Sequence, residues 1–126
     1  MTISWGQLAA ASGVVAITYT NSEPAADLDA LLQHVRQNAA SLGIDENRIG
    51  VWACSGNVPL ALWAVMQEGR AFLKCAVLLY GYMLDLDGAT GVAEAAHMFR
   101  YTNPTDGKSI DDLPPNLPLF IVRAGQ

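Results

Sequence analysis

A serine stands at position 55 between two apolar runs, Ile49-Gly50-Val51-Trp52-Ala53 before it and Val58-Pro59-Leu60-Ala61-Leu62-Trp63 after it. The first run reads as a strand and the second as a helix. A side chain at so sharp a strand-to-helix corner is pushed clear of the sheet, where a substrate can meet it. The chemistry open to Ser55 is nucleophilic. A hydroxyl attacks weakly until a base takes its proton, and it can then carry an acyl group. The neighbours are small or permissive. Ala53 lets strand and helix backbones approach closely, and Asn57 accepts unusual backbone angles. The competing explanation is a small serine tolerated at a tight turn.

Other residues offer chemistry less directly. His34 lies off the apolar stripe of its helix and is expected to face solvent. His97 lies in a long segment that could hang over the serine, as an exposed or packing side chain or as a base. Asp85, Asp87, Asp106, Asp111 and Asp112 share that segment and read first as solvated loop carboxylates or helix caps, with substrate contact the alternative. Their spacing fits no calcium loop, so no metal is expected. Cys54 precedes the corner and is expected to point into packing. It and Cys75 are expected to be buried, reduced thiols. Trp5, Trp52 and Trp63 are expected in the core or between helix and sheet. Arg123 is expected at the rim, paired with a loop carboxylate or meeting a substrate anion. No cofactor is expected.

The elements that must position these residues follow from the pattern. Thr2 to Ser12 reads as the end of a helix, closed by Gly13. Val14-Val15-Ala16-Ile17-Thr18-Tyr19 is β-branched and continuous, so a buried strand is expected. A helix with the stripe Leu28, Leu31, Leu32 and Val35 follows, running to Leu42-Gly43. Ile49 to Ala53 is the next strand. Val58 to Glu68 is a helix that is apolar nearly all round, with Pro59 in its first turn. Cys75 to Tyr80 and Leu119 to Val122 complete the strands. Strand–helix alternation predicts an α/β fold: a mostly parallel sheet covered by helices on both faces. The stretch 83–115 carries Gly, Asp and Pro with a short helix, Val92 to Phe99, and is expected to rise above the sheet as an excursion.

At this point the chain resembles a known family. Leu42-Gly43-Ile44-Asp45, Arg48-Ile49-Gly50-Val51-Trp52 and the adjoining corner resemble the α/β-hydrolase superfamily, nearest in style to its dienelactone-hydrolase-like and esterase-like branches. Leu117-Pro118-Leu119-Phe120-Ile121-Val122-Arg123-Ala124-Gly125-Gln126 resembles the family strand that precedes the catalytic acid. The corner departs from the family G-x-S-x-G by having Ala53 and Asn57 in place of the outer glycines. The resemblance implies that Ser55 is the nucleophile and that the Gly56 N–H is one oxyanion-hole donor. It implies a small ester or acyl substrate. It places the acid after the strand ending near Ala124 and the histidine further on. The 126 residues are therefore expected to be a partial hydrolase domain, largely inactive alone. A non-catalytic relative that binds a partner or small ligand is the alternative. A nucleotide-binding domain is a poorer fit, since Thr18-Tyr19-Thr20-Asn21-Ser22 holds no phosphate-cradling glycine.

Composition sets outer bounds. The chain is 52% hydrophobic and 15% charged, with a net charge of -5. Seven scattered Lys and Arg residues argue against nucleic acid, which needs clustered positive charge. No apolar run approaches the roughly 18 residues of a membrane helix. The opening Met1-Thr2-Ile3-Ser4-Trp5 has no basic or secretory character, so a cytoplasmic location is expected. The family sheet has a strand between those placed at 14–19 and 49–53, and here it is missing. A partial sheet leaves edges and apolar surface unmatched, so self-association is expected.

Overall fold

Residues 2–84, 91–100 and 103–123 are described by the computed structural model, and the chain divides into two units, Met1–Ile44 and Asp45–Gln126. In the first unit, α1 spans Thr2–Ala11. Gly13 follows with a φ of 81°, a left-handed stop that costs glycine little. Helix α2 spans Pro24–Gln37 and buries Leu28, Leu32 and Val35, three of the four residues of the expected stripe. Its start is fixed by Asp27, whose carboxylate accepts from the Ser22 N–H at 2.7 Å and the Glu23 N–H at 2.9 Å.

Two expectations for this unit need correction. The helix does not run unbroken to Leu42. It stops at Asn38 and resumes as the short α3, Ala39–Leu42. The Asn38 amide donates to the His34 carbonyl at 2.8 Å, a local side-chain bond of the kind that competes with the helical ladder. The expected strand at 14–19 is also not formed, and Val14, Val15, Ile17 and Tyr19 are exposed. β-Branched residues favour strands through packing and pairing. Among the described residues, every paired strand lies in the other unit.

The second unit holds β1 (Ile49–Cys54), α4 (Val58–Met66), β2 (Leu73–Leu79), α5 (Val92–Phe99) and β3 (Leu119–Val122). The three strands form one parallel sheet in the order β1-β2-β3. Parallel neighbours need a crossover rather than a hairpin, and α4 supplies the one from β1 to β2. Register places Ala53, Leu78 and Ile121 in one row and Trp52, Val77 and Phe120 in the next. Successive residues of a strand point to opposite faces, so the two rows face oppositely.

Helix α4 packs on β1 and β2. It buries eight of its nine residues, and Trp63 is half-buried. On the sheet, Ala53, Ala76 and Leu78 are buried, Leu78 completely. That cover stops short of β3, where Ile121 is exposed, and the opposite face is more open still. Trp52 is 44% exposed and Phe120 62%. Val122 and Cys75 are exposed as well, while Cys54, Val77 and Leu79 are half-buried. This corrects three expectations: full cover of both faces, core positions for Trp52 and the likewise exposed Trp5, and two buried thiols. Cys75 pairs in register with Gly50, which carries no side chain to shield it. A Cβ at Gly50 would come within 2.8 Å of the Cys75 sulfur.

Helix α5 falls where the sequence places it and buries Val92, Ala95 and Ala96. A short 3-10 turn, Ile110–Asp112, follows and is capped at both groups of Ser109. The Ser109 N–H donates to Asp112 at 2.7 Å and the Asp111 N–H to the Ser109 hydroxyl at 3.2 Å. The capping role read for the loop carboxylates thus holds for Asp112. Asp85 and Asp87 lie outside the described residues. Among the described residues, no helix is long and apolar enough to cross a membrane.

Candidate functional site: the corner at Ser55

Strand β1 ends at Cys54, still extended at φ -135° and ψ 153°. Val58 is already helical at φ -62° and ψ -44°. The reversal is made at Ser55, whose φ is 54°. A left-handed backbone costs a residue with a Cβ about 1–2 kcal/mol. Such a conformation persists only where the surroundings over-determine it. Ser55 is exposed, so the strained residue presents its hydroxyl to solvent.

The turn Ser55–Asn57 runs directly into α4. The Val58 N–H donates to the Ser55 carbonyl. The first N–H groups of a helical run have no partner within it, and they form its positive end. Gly56 is at that position, exposed and outside the positive-φ set. A Cβ at Gly56 would meet nothing within 4 Å. Its glycine is therefore required neither by backbone angle nor by space. What the position offers is its N–H.

Two residues at the end of β2 bear on the corner, and sequence reasoning missed both. Tyr80 has a φ of 40°, and its N–H donates to the Val122 carbonyl at 2.7 Å, which ties the end of β2 to the end of β3. Gly81 follows and packs on the corner itself. A Cβ there would overlap the Ser55 carbonyl oxygen and the Val58 Cγ2 methyl, and would lie 2.6 Å from Val58 Cβ. Their signal was the run Leu78-Leu79-Tyr80-Gly81. A glycine just past a strand often marks close approach of another backbone. These residues stand at the carboxyl ends of parallel strands, where crevices of open α/β sheets receive ligands.

Cys54 is half-buried rather than buried. The Tyr80 pKa is pushed above the usual tyrosine value, first by hydrogen bonding of its hydroxyl toward the Cys54 sulfur, then by the sulfur's charge and by burial. His34 belongs to the unit Met1–Ile44, is exposed as expected, and has Nδ1 3.3 Å from the Asn38 amide nitrogen. His97 is exposed on α5, and Asp106 is exposed too. Arg123 is exposed one residue beyond β3. Within the unit Asp45–Gln126 and among its described residues, no hydrogen bond joins His97 or an aspartate to Ser55. None of these residues forms a group of three or more that could hold a metal ion.

Searches of protein-family models, of curated proteins and of solved structures find no match to the chain.

Proposed function

We propose that this chain carries the nucleophile of a serine hydrolase of the α/β-hydrolase kind, one that cleaves carboxylic esters or related acyl bonds through an acyl-enzyme on Ser55. One observation carries the reading: an exposed serine with φ 54° makes the strand-to-helix reversal by itself. A strained residue at a functional corner is a better motive for function than a tolerated loop serine, because strain must be offset by contacts elsewhere.

The steps follow from ordinary acyl transfer. The Ser55 Oγ attacks the acyl carbon as its proton passes to a base. The carbonyl oxygen becomes an oxyanion, and the Gly56 N–H donates to it. The tetrahedral intermediate collapses, the alcohol leaves with a proton, and the acyl group stays on Ser55. Water then attacks the same carbon, releasing the acid and restoring the hydroxyl. Within the unit Asp45–Gln126 and among its described residues, no hydrogen bond joins His97 to Ser55, so the 126 residues alone are expected to acylate slowly.

A fluorophosphonate probe tests the reading. Intact-mass analysis after long incubation should find one adduct on the wild-type chain and none on Ser55→Ala. Equal labelling of the two proteins removes Ser55 from the mechanism. The exposed Trp52, Phe120 and Val122, on one face of the sheet, favour a second reading, a non-catalytic relative that binds a partner. Absence of any Ser55-dependent adduct, together with tight association through that face, would decide for it.

A further inference from the structure

The contact between Gly81 and the corner reaches further than packing. The oxygen that Gly81 approaches belongs to Ser55. That carbonyl and the Gly56 N–H are the two ends of one peptide unit. A peptide unit is a rigid plane, and in the trans form its C=O and N–H point in opposite directions. Whatever fixes the Ser55 oxygen therefore fixes the direction of the Gly56 N–H. Two contacts do so here. The Val58 N–H donates to the oxygen, and the bare Cα of Gly81 lies so close that a Cβ there would strike the oxygen.

We infer that Gly81 is a positioning residue for the Ser55 site: by lying flush on the Ser55 carbonyl it sets the plane whose opposite edge aims the Gly56 N–H outward. The inference rests on the hydrolase reading for its catalytic meaning, though not for its geometry. Gly81 is outside the positive-φ set, so its requirement is for space alone. The atoms a Cβ would strike include a backbone oxygen, which cannot swing aside as a flexible side chain does. An alanine there must push the Ser55 carbonyl away, and the plane turns with it. Tyr80 sets the approach. Its positive φ turns the chain at the end of β2, and its N–H bond to Val122 holds that turn against β3.

The test uses two readouts on the full chain. Amide hydrogen exchange reads the geometry, and the rate of fluorophosphonate labelling at Ser55 reads the chemistry. In Gly81→Ala, exchange at the Val58 N–H should quicken by at least about tenfold. The Ala76 N–H, which donates to the Pro118 carbonyl at 3.1 Å, should keep its protection. Labelling should slow by at least about tenfold, short of the roughly 10²–10³-fold lost when an oxyanion donor is deleted outright. Loss of protection at Ala76 as well would mean that Gly81→Ala fails to fold. Val58→Ala then decides, because it loosens the same contact without adding an atom. It should quicken exchange at residue 58 and slow labelling in the same direction. Wild-type exchange and wild-type labelling in a folded variant overturn the inference. Should the wild type show no Ser55-dependent labelling, the hydrolase reading fails, and exchange at residue 58 alone decides whether Gly81 sets the plane.

Discussion

Replacing Ser55 separates strain from chemistry. Glycine would relieve a left-handed backbone worth about 1–2 kcal/mol, and would lose about 0.4–1 kcal/mol through the freer unfolded chain. Relief is the larger effect, so Ser55→Gly should raise the urea midpoint, by the equivalent of about 0.5–1 kcal/mol, while abolishing probe labelling. Ser55→Ala keeps the strain and should leave the midpoint near wild type. Equal midpoints for the two variants would show that the corner is unstrained. Gly56→Ala should raise the midpoint by the equivalent of about 0.4–1 kcal/mol, since a Cβ there meets open space and the unfolded chain becomes less free. At this scale the sequence was legible where the signal was local. Ser55 could be found from its own flanks. Gly81 could not be assigned its contact, because the atoms it meets are 26 and 23 positions earlier in the chain, and no pattern of period two or 3.6 reports a distant backbone oxygen.

Elements behaved according to how much of their stability they carry themselves. Helix α2 was legible from its stripe, and its start has an acid-sensitive tie. The bonds from the Glu23 and Ser22 N–H groups hold the Asp27 carboxyl below its ordinary pKa. A depressed folded value stabilises the helix above the unfolded pKa, and the gain is lost as pH falls through the folded one. Stability followed by circular dichroism should therefore decline from about pH 6 toward pH 2, across the range of an ordinary aspartate near about 3.9. Asp27→Asn should flatten that decline. An unchanged slope would mean the tie contributes nothing. The run at 14–19 shows the opposite case. Its residues suit a strand, yet a strand exists only with a partner, and local composition is silent on whether one is present. Strand β2 was found, but the exposure of Cys75 was not, because it depends on a bare neighbour, Gly50, in β1. Iodoacetamide should accordingly modify the exposed Cys75 in the folded chain well before the half-buried Cys54.

At the scale of the molecule, parallel pairing and α/β character were readable from strand–helix alternation. The cover on each face was not. Solid apolar strands say that a sheet is meant to be covered twice, and they do not say by what. The face carrying Trp52, Phe120 and Val122 has the composition of an interior with the exposure of a surface. A net charge of -5 gives modest repulsion between copies, and burying one aromatic side chain contributes about 1.5–3 kcal/mol. Self-association that rises with concentration is the expected behaviour in sedimentation. Phe120→Glu should shift the chain toward monomer without loss of helical signal. A monodisperse wild-type monomer at high concentration would count against it.

The notch that Gly50 leaves beside the Cys75 sulfur has a practical use. A small fluorophore tethered to that thiol would rest on the same side of the sheet as the Trp52 indole, one step along the neighbouring strand. If the label is polarity-sensitive, its emission would shift toward shorter wavelength as water is expelled from that side. The chain thus carries its own optical gauge for whatever comes to lie over its bare aromatic row.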